Sequence, residues 1–380
     1  MKLNDFKLER FFARFEFNAP YLLCTSDCES FTVAELLALE KDAGKAFNKL
    51  HLGYTETLGN PELRREISRL YSNSAPEDII VLAGAEEGIF IFMNVLLGSG
   101  DHIIVQSPCY QSLSEVAHAI GCNVTEWFMD AQNNWELDLG FLKDNITRQT
   151  KAIVVNFPNT PTGYTMPKEL FNELIEIARR HDIYIFSDEV YRFLEYHEGD
   201  RLPAACDVYD KALSLGVMSK SFGLPGLRIG WIAARDKTLF KKIASFKDYT
   251  TICSSAPGEF LATLALRNKE YILKRNLGII KTNLRLLDIF FKKYAHLFQW
   301  VKPRAGLLIF PHLKFEQEAE AFCLDLVNKK GVLLLPGNIY NYDNHHVRFG
   351  FGRLNMPEAL KKLEEYLEQA EKMPFFWHKR

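Results

Sequence analysis

SLGVMSKSFGLPGLRIGW, residues 214–231, is the stretch on which the reading of this chain turns. An apolar run, ALSLGV (212–217), stops just before Lys220, and a turn rich in glycine and proline follows. Arg228, eight residues after the lysine, then stands near the head of a second apolar run, LRIGWIAA (227–234). A surface lysine needs no such frame, and a core strand has no use for a charge at its end. At the mouth of a sheet, however, a lysine is partly desolvated, its pKa falls, and the free amine can attack a carbonyl to form a Schiff base. A plain surface lysine fits these local residues equally well, so the strands around it have to decide.

They alternate with helices. IIVLA (79–83), HIIVQS (102–107), CNVTEWF (122–128), KAIVVN (151–156), IYIFSD (183–188), ALSLGV and LRIGWIAA read as strands. Between them lie helical stretches, among them the segment up to Leu97 and the amphipathic PKELFNELIEIARRHD (167–182). Near-continuous apolar strands separated by helices predict a mostly parallel sheet covered on both faces. Ligands of such sheets bind beyond the carboxyl ends of the strands. Residues 236–297 read as helical and without strong breakers, enough for one long helix. After it, WVKPRAGLLIFPHL, GVLLLP and HHVRFGFG read as strands around one helix, and a last helix fills 356–372.

Length and composition bound the function. At 380 residues the chain exceeds the size at which one core stops growing, so two lobes are expected. A net charge of −2 with scattered basic residues gives no reason to expect nucleic acid as a partner. There is no apolar run of about 18 residues to span a membrane, and the charged start MKLNDFKLERFFARFEF lacks a signal peptide's apolar region. Seven cysteines, an odd number spread along the chain, predict reduced thiols and a cytoplasmic location. Cys24 and Cys28 form the one close pair, with no second pair to complete a zinc site, and His345–His346 stand alone in a polar loop, so no metal is expected.

The polar residues at the strand ends carry chemistry. Asp188 ends its strand in IYIFSDEVY, and a buried carboxylate there needs a cationic or donor partner. A protonated pyridine nitrogen would be one. In VLAGAEEG, Gly84 separates a strand from a helix start, where the amides of Ala85 and Glu86 can cradle a phosphate. Glu86 is an awkward neighbour for an anion unless its side chain points away. Arg228 can fork onto a phosphate as lysine cannot.

Taken in order, these segments resemble the class I/II aminotransferases, fold-type-I enzymes that use pyridoxal 5'-phosphate (PLP), from about Tyr54 to Arg348. SKSFGLPGLRIGW is similar to the family's Schiff-base lysine motif, and NFPNTPTGY to its Asn-Pro-Thr-Gly loop. SDEVY resembles its pyridinium-aspartate segment, HHVRFGFG its carboxylate-binding arginine, SPCYQS its ring-stacking segment, and LGYTETLGNPELRREI its tyrosine-bearing segment. The resemblance implies a large PLP domain, built on a seven-stranded-type, mostly parallel sheet with helices on both faces, over 46–285. A smaller α+β domain would follow over 286–380, with an N-terminal segment, 1–45, packing on it. It implies that Lys220 is the Schiff-base lysine and proton shuttle, that Asp188 pairs with the ring nitrogen, and that Tyr191 bonds the ring phenolate. Tyr110 would stack on the ring; Ala85, Glu86 and Arg228 would hold the phosphate; Arg348 would grip the substrate α-carboxylate. Tyr54 would reach the phosphate held by a neighbouring subunit, which makes a homodimer with shared sites.

Two polar contacts depart from the pattern. Thr160 stands where the family has the asparagine of Asn-Pro-Thr-Gly, with Asn159 one place too early and Asn156 nearby. Thr160 still offers the ring oxygen a hydroxyl. Val217 occupies the place of a phosphate-binding serine, and Ser219, the remaining candidate, would point to the opposite face if the strand continued. The N-terminal stretch LERFFARFEFNAPYLLCTSDCESFTVAELLAL has CTSDCES where ordinary members carry a Gly-containing loop. It is similar to a branch with capreomycidine synthase-like enzymes, which act on arginine derivatives; Glu16, Asp27 or Glu29 would then face a cationic side chain, or else form a solvated acidic loop.

The resemblance implies transfer of the α-amino group between L-amino acids and 2-oxo acids. The alternative is PLP-dependent β-elimination, replacement or cyclisation. A PLP-fold gene regulator is not expected, because roughly 50 residues before the family core leave no room for a DNA-binding domain and linker. A dehydrogenase is not expected either, since no G-x-G-x-x-G follows the first strand.

Overall fold

The computed structural model describes residues 2–372. Its centre is a seven-stranded sheet of β1 (Ile79–Leu82), β2 (His102–Ser107), β3 (Asn123–Phe128), β4 (Thr150–Asn156), β5 (Tyr184–Asp188), β6 (Ala212–Val217) and β7 (Gly230–Ala234). The strand order is β1-β7-β6-β5-β4-β2-β3. All neighbours run parallel except β7, which is antiparallel to both β1 and β6. β1, β2, β6 and β7 are buried along their whole length, which is why they read as unbroken apolar runs. The edge strand β3 is the exception, with only Trp127 buried.

Helices Ala85–Leu96, Ser112–Ile120 and Lys168–Arg180 connect the parallel strands. Ile89, Ile91, Phe92, Leu113, Val116, Phe171, Leu174 and Ile175 on them join the sheet's side chains in one core. Each such apolar side chain, fully buried, contributes roughly 1.5–3 kcal/mol. The antiparallel turn of SLGVMSKSFGLPGLRIGW places Gly216 opposite Trp231 in the β6–β7 register. A Cβ on Gly216 would lie 2.4 Å from the indole ring, so the glycine is the space the tryptophan occupies.

The helical region after β7 is divided into three helices, Lys237–Lys247, Ala256–Arg267 and Lys269–Lys293. The first break falls at Ile252, whose φ of 63° is left-handed; Ser255 then caps the next helix by accepting from the Gly258 amide, with a proline in its first turn. Beyond residue 300, Leu308–Ile309, Val347–Gly350 and Leu335–Pro336 form a three-stranded antiparallel sheet with Val347–Gly350 in the middle. Helix Met356–Glu371 ends the described chain. At the other end, helix α1 (Lys7–Phe15) leads into Tyr21–Leu22, which pairs in parallel with Val332–Leu333. Among the described residues no helix is long and apolar enough to cross a membrane.

Candidate active site

A cavity of about 350 Å³ opens at the carboxyl ends of β4, β5 and β6. Ala85, Glu86, Tyr110, Thr160, Asp188, Tyr191, Ser219, Lys220, Arg228 and Arg348 all line it. The sheet register explains the convergence. Asn156, the last residue of β4, lies beside Asp188, the last of β5, and Asp188 lies beside Leu215 of β6.

One end of the cavity is a cradle. Gly84, at φ 92°, caps the helix that starts at Ala85. A Cβ there would lie 2.6 Å from Arg228 Nη2, so the missing side chain lets the guanidinium close on the helix start. A Cβ on Gly230 would likewise lie 2.9 Å from the Ala85 amide nitrogen. Arg228 itself is held in the left-handed region at φ 52°. Free amides, a helix N-terminus and a guanidinium make an anion site. Val217, the last residue of β6, and Ser219 both line the cavity; residues two apart share a strand face, so the serine does not lie on the opposite one. Its Oγ is buried without a partner and the residue lines the cavity.

Glu86 does not point away. It lines the same cavity, its carboxyl accepts from Ser112 Oγ at 3.0 Å, and burial and Glu9 push its pKa up. Tyr110 packs its ring 5.1 Å from that of Phe6.

At the centre, Lys220 Nζ donates to Ser26 Oγ at 2.7 Å, and burial lowers its pKa. Asp188 is 5% exposed, and its carboxyl accepts from the Val190 amide at 3.1 Å. Burial raises its pKa to about 7, with the Val190 amide and Lys220 opposing. Asp188 forms no ion pair among the described residues. Tyr191, 1% exposed, donates to the Ser26 carbonyl at 2.8 Å and lies within hydrogen-bonding reach of the Thr160 side chain. Asn156 holds this loop from beneath, accepting from the Thr160 amide at 2.7 Å and donating to the Asp188 carbonyl at 3.0 Å. Asn159 is turned inward instead, where its side chain accepts from Thr162 Oγ1 at 2.7 Å.

Arg348 is 1% exposed and forms no ion pair among the described residues. Its Nη1 bonds Tyr340 Oη, Nη2 donates to the Cys24 carbonyl at 2.5 Å, and Nε is buried without a partner. A buried guanidinium without a counter-ion is costly unless an anion joins it.

Tyr54 is not brought to this cavity. It is 93% exposed and borders a separate surface hollow with His51 and Arg267. The lining contributed by Leu8, Glu9, Phe12, Glu16, Thr25, Ser26 and Asp27 was only partly legible in the sequence. Glu16 and Asp27 line the cavity, whereas the Glu29 carboxylate accepts from the Leu354 amide at 2.8 Å. Ser26 lies 194 residues from its lysine partner, a distance no local motif spans.

A cradle suited to phosphate, a lysine of lowered pKa, a buried acid without an ion-pair partner and a carboxylate-ready arginine together fit PLP and an amino acid. The orphaned Ser219 Oγ and Arg348 Nε are the polar atoms such ligands would satisfy.

Comparison with known proteins agrees. A solved PLP-dependent aminotransferase from Streptococcus suis superimposes with a TM-score of 0.92 at 34% identity, covering 98% of this chain and 100% of that one. The PLP-dependent cyclase OrfR superimposes with a TM-score of 0.88 at 26% identity, covering 97% and 98%. Capreomycidine synthase from Streptomyces vinaceus is 25% identical over 96% of this chain and 93% of its own. The family described as aminotransferase class I and II matches residues 21–368. The chain therefore belongs to the class I and II aminotransferases, fold-type-I enzymes whose cofactor is PLP.

Proposed function

We propose that this protein is a PLP-dependent aminotransferase that moves the α-amino group of an L-amino acid to a 2-oxo acid, with Lys220 as covalent holder of the cofactor and as proton carrier. The observation that carries this reading is the meeting of Lys220, Asp188 and an Arg348 without counter-ion in one cavity. Bound PLP supplies an electron-withdrawing ring that stabilises negative charge on the substrate Cα. Ala85, Ser219 and Arg228 would hold its phosphate, with Glu86 contributing its backbone amide. Tyr110 would pack on the ring face, and the hydroxyls of Tyr191 and Thr160 would bond the ring oxygen. Asp188 would face the ring nitrogen, where a positive charge favours the ionised carboxylate that burial otherwise disfavours. Desolvation leaves more of the Lys220 amine neutral, the form that accepts a proton from Cα. Arg348 would fix the α-carboxylate, so that Cα lies over the lysine.

Tyr54 belongs to this reading through a partner. Tyr54 (93% exposed), Leu52 (78%), Tyr249 (89%) and Ile252 (51%) are large side chains left open to solvent. A homodimer in which Tyr54 reaches the partner's phosphate site would cover them. All seven cysteines are free thiols, which supports a cytoplasmic location.

A second reading has one observation of its own. Glu9 of α1 and Glu16, the residue just after it, line the cavity, and the Glu16 carboxyl pKa is raised by burial, by Glu9 and by Asp27. An acidic wall suits an amino acid with a cationic side chain. The likeness to capreomycidine synthase favours elimination, replacement or cyclisation on an arginine derivative. Mixing holoprotein with single amino acids, arginine and glutamate included, separates the two. Accumulation of the cofactor's amine form with a keto acid supports transamination; a product formed while the cofactor stays in its carbonyl form supports the second reading.

A further inference from the structure

We infer that Ser26 is a positioning residue for Lys220: its hydroxyl is the fixed acceptor on which the free lysine amine is parked and oriented. The inference rests on the reading of Lys220 as proton carrier.

Two hydrogen bonds place Ser26 between the chemical groups. Its Oγ accepts from Lys220 Nζ at 2.7 Å and its carbonyl accepts from Tyr191 Oη at 2.8 Å. The loop that bears it is clamped onto the strand bearing Arg348. The Gly350 amide donates to the Leu23 carbonyl at 2.9 Å, Arg348 donates to the Cys24 carbonyl, and the Glu29 amide donates to the Gly352 carbonyl at 2.9 Å. The approach is close enough to require glycine. A Cβ on Gly350 would lie 1.9 Å from the Thr25 carbonyl oxygen, and one on Gly352 would lie 2.6 Å from that of Asp27. Asp27 pairs with Arg353 at 2.8 Å, closing the other side. The hydroxyl thus has a position set by the backbone.

A lysine amine at the end of four carbons rotates freely, and its lone pair must face Cα to take a proton. Donating one N–H to a fixed hydroxyl removes much of that rotation and leaves the lone pair free. Ser26 holds the amine near the reacting carbon without consuming its basicity.

The test compares Ser26→Ala with Ser26→Thr. Alanine should lower kcat about tenfold, which is ~1.4 kcal/mol, with little change in KM. Threonine, which keeps the hydroxyl, should restore most of it. A second readout needs no turnover: the pH dependence of Lys220 modification by trinitrobenzenesulfonate in the apo-protein, followed by peptide mass spectrometry. The charges facing the amine, Asp27, Asp188, Arg348 and Arg228, are the same in both variants. A hydroxyl accepting from the ammonium favours the charged form, so Ser26→Ala should move the reactivity midpoint to lower pH by about one unit. That shift supports the positioning role even if no amino acid is turned over, in which case the aminotransferase reading fails and not the contact. An unchanged midpoint overturns the inference, whatever kcat does.

Discussion

Replacing Asp188 with asparagine should stabilise the apo-protein at neutral and alkaline pH while crippling the holoenzyme. Burial raises the Asp188 pKa from its ordinary 3.8 to about 7. The folded chain therefore holds a proton that the unfolded chain has released between those values, and stability falls as pH rises through that window. Spread over roughly three pH units, the loss approaches about 4 kcal/mol, complete above the folded-state pKa. Asparagine cannot ionise and escapes it. Urea unfolding of the two apo-proteins at about pH 5 and about pH 8 reads the effect as a difference of differences, in which all other titrating groups cancel. The wild-type deficit should grow with pH. In the holoenzyme, on the proposed assignment, the sign of the carboxylate's value would reverse, because a pyridinium facing it would favour the ionised form. Asp188→Asn should keep PLP and slow proton abstraction by orders of magnitude, about 10²-fold or more. A stability difference that does not vary with pH would refute the reasoning, since it would mean that the carboxyl is not held in apolar surroundings.

Arg348→Lys should raise KM for amino acids, with a cost of about 1–3 kcal/mol, because a point charge cannot reproduce the planar fork; steady-state kinetics with several amino acids checks this, and an effect confined to one side chain would move Arg348 to the side-chain pocket. Glu86→Gln should flatten the pH dependence of PLP binding to the apo-protein. In the wild type the buried carboxyl would ionise as pH rises, repel a phosphate held at the helix start and weaken binding; fluorescence titration across pH measures it. Gly216→Ala should cost about 1–3 kcal/mol of stability, because its methyl would overlap the Trp231 ring; the urea midpoint should fall with the m-value unchanged.

The sheet and the gathering of polar residues at its strand ends are legible because each rests on neighbours in sequence. ALSLGV, KAIVVN and IYIFSD are almost wholly buried and so read as apolar runs; Asp188 ends its strand, and Gly84 and Lys220 stand two and three residues past theirs. The expectation that Ser219 faces away from the cavity fails, because strand alternation puts residues two apart on one face, and Ser219 lines the cavity with Val217. The long helix over 236–297 was a reading of composition, and the breaks come from backbone geometry at Ile252 and a Ser255 cap. The roof of the cavity was the least legible part. Leu8, Glu9 and Phe12 reach it because α1 packs against Gly337–Tyr340 and its Phe12 ring lies 5.7 Å from the Arg348 guanidinium, and Ser26 because glycines 350 and 352 admit its loop. Such contacts depend on tertiary approach.

The most direct test of the central claim, that this cavity is a catalytic centre built on Lys220, is a mapping of the bound cofactor. Holoprotein treated with borohydride and digested should yield one cofactor-modified peptide, spanning SKSFGLPGLR, with the added mass on Lys220. Lys220→Ala treated in the same way should yield no modified peptide. Modification at another lysine, or none in a wild-type protein that binds PLP, would contradict the account.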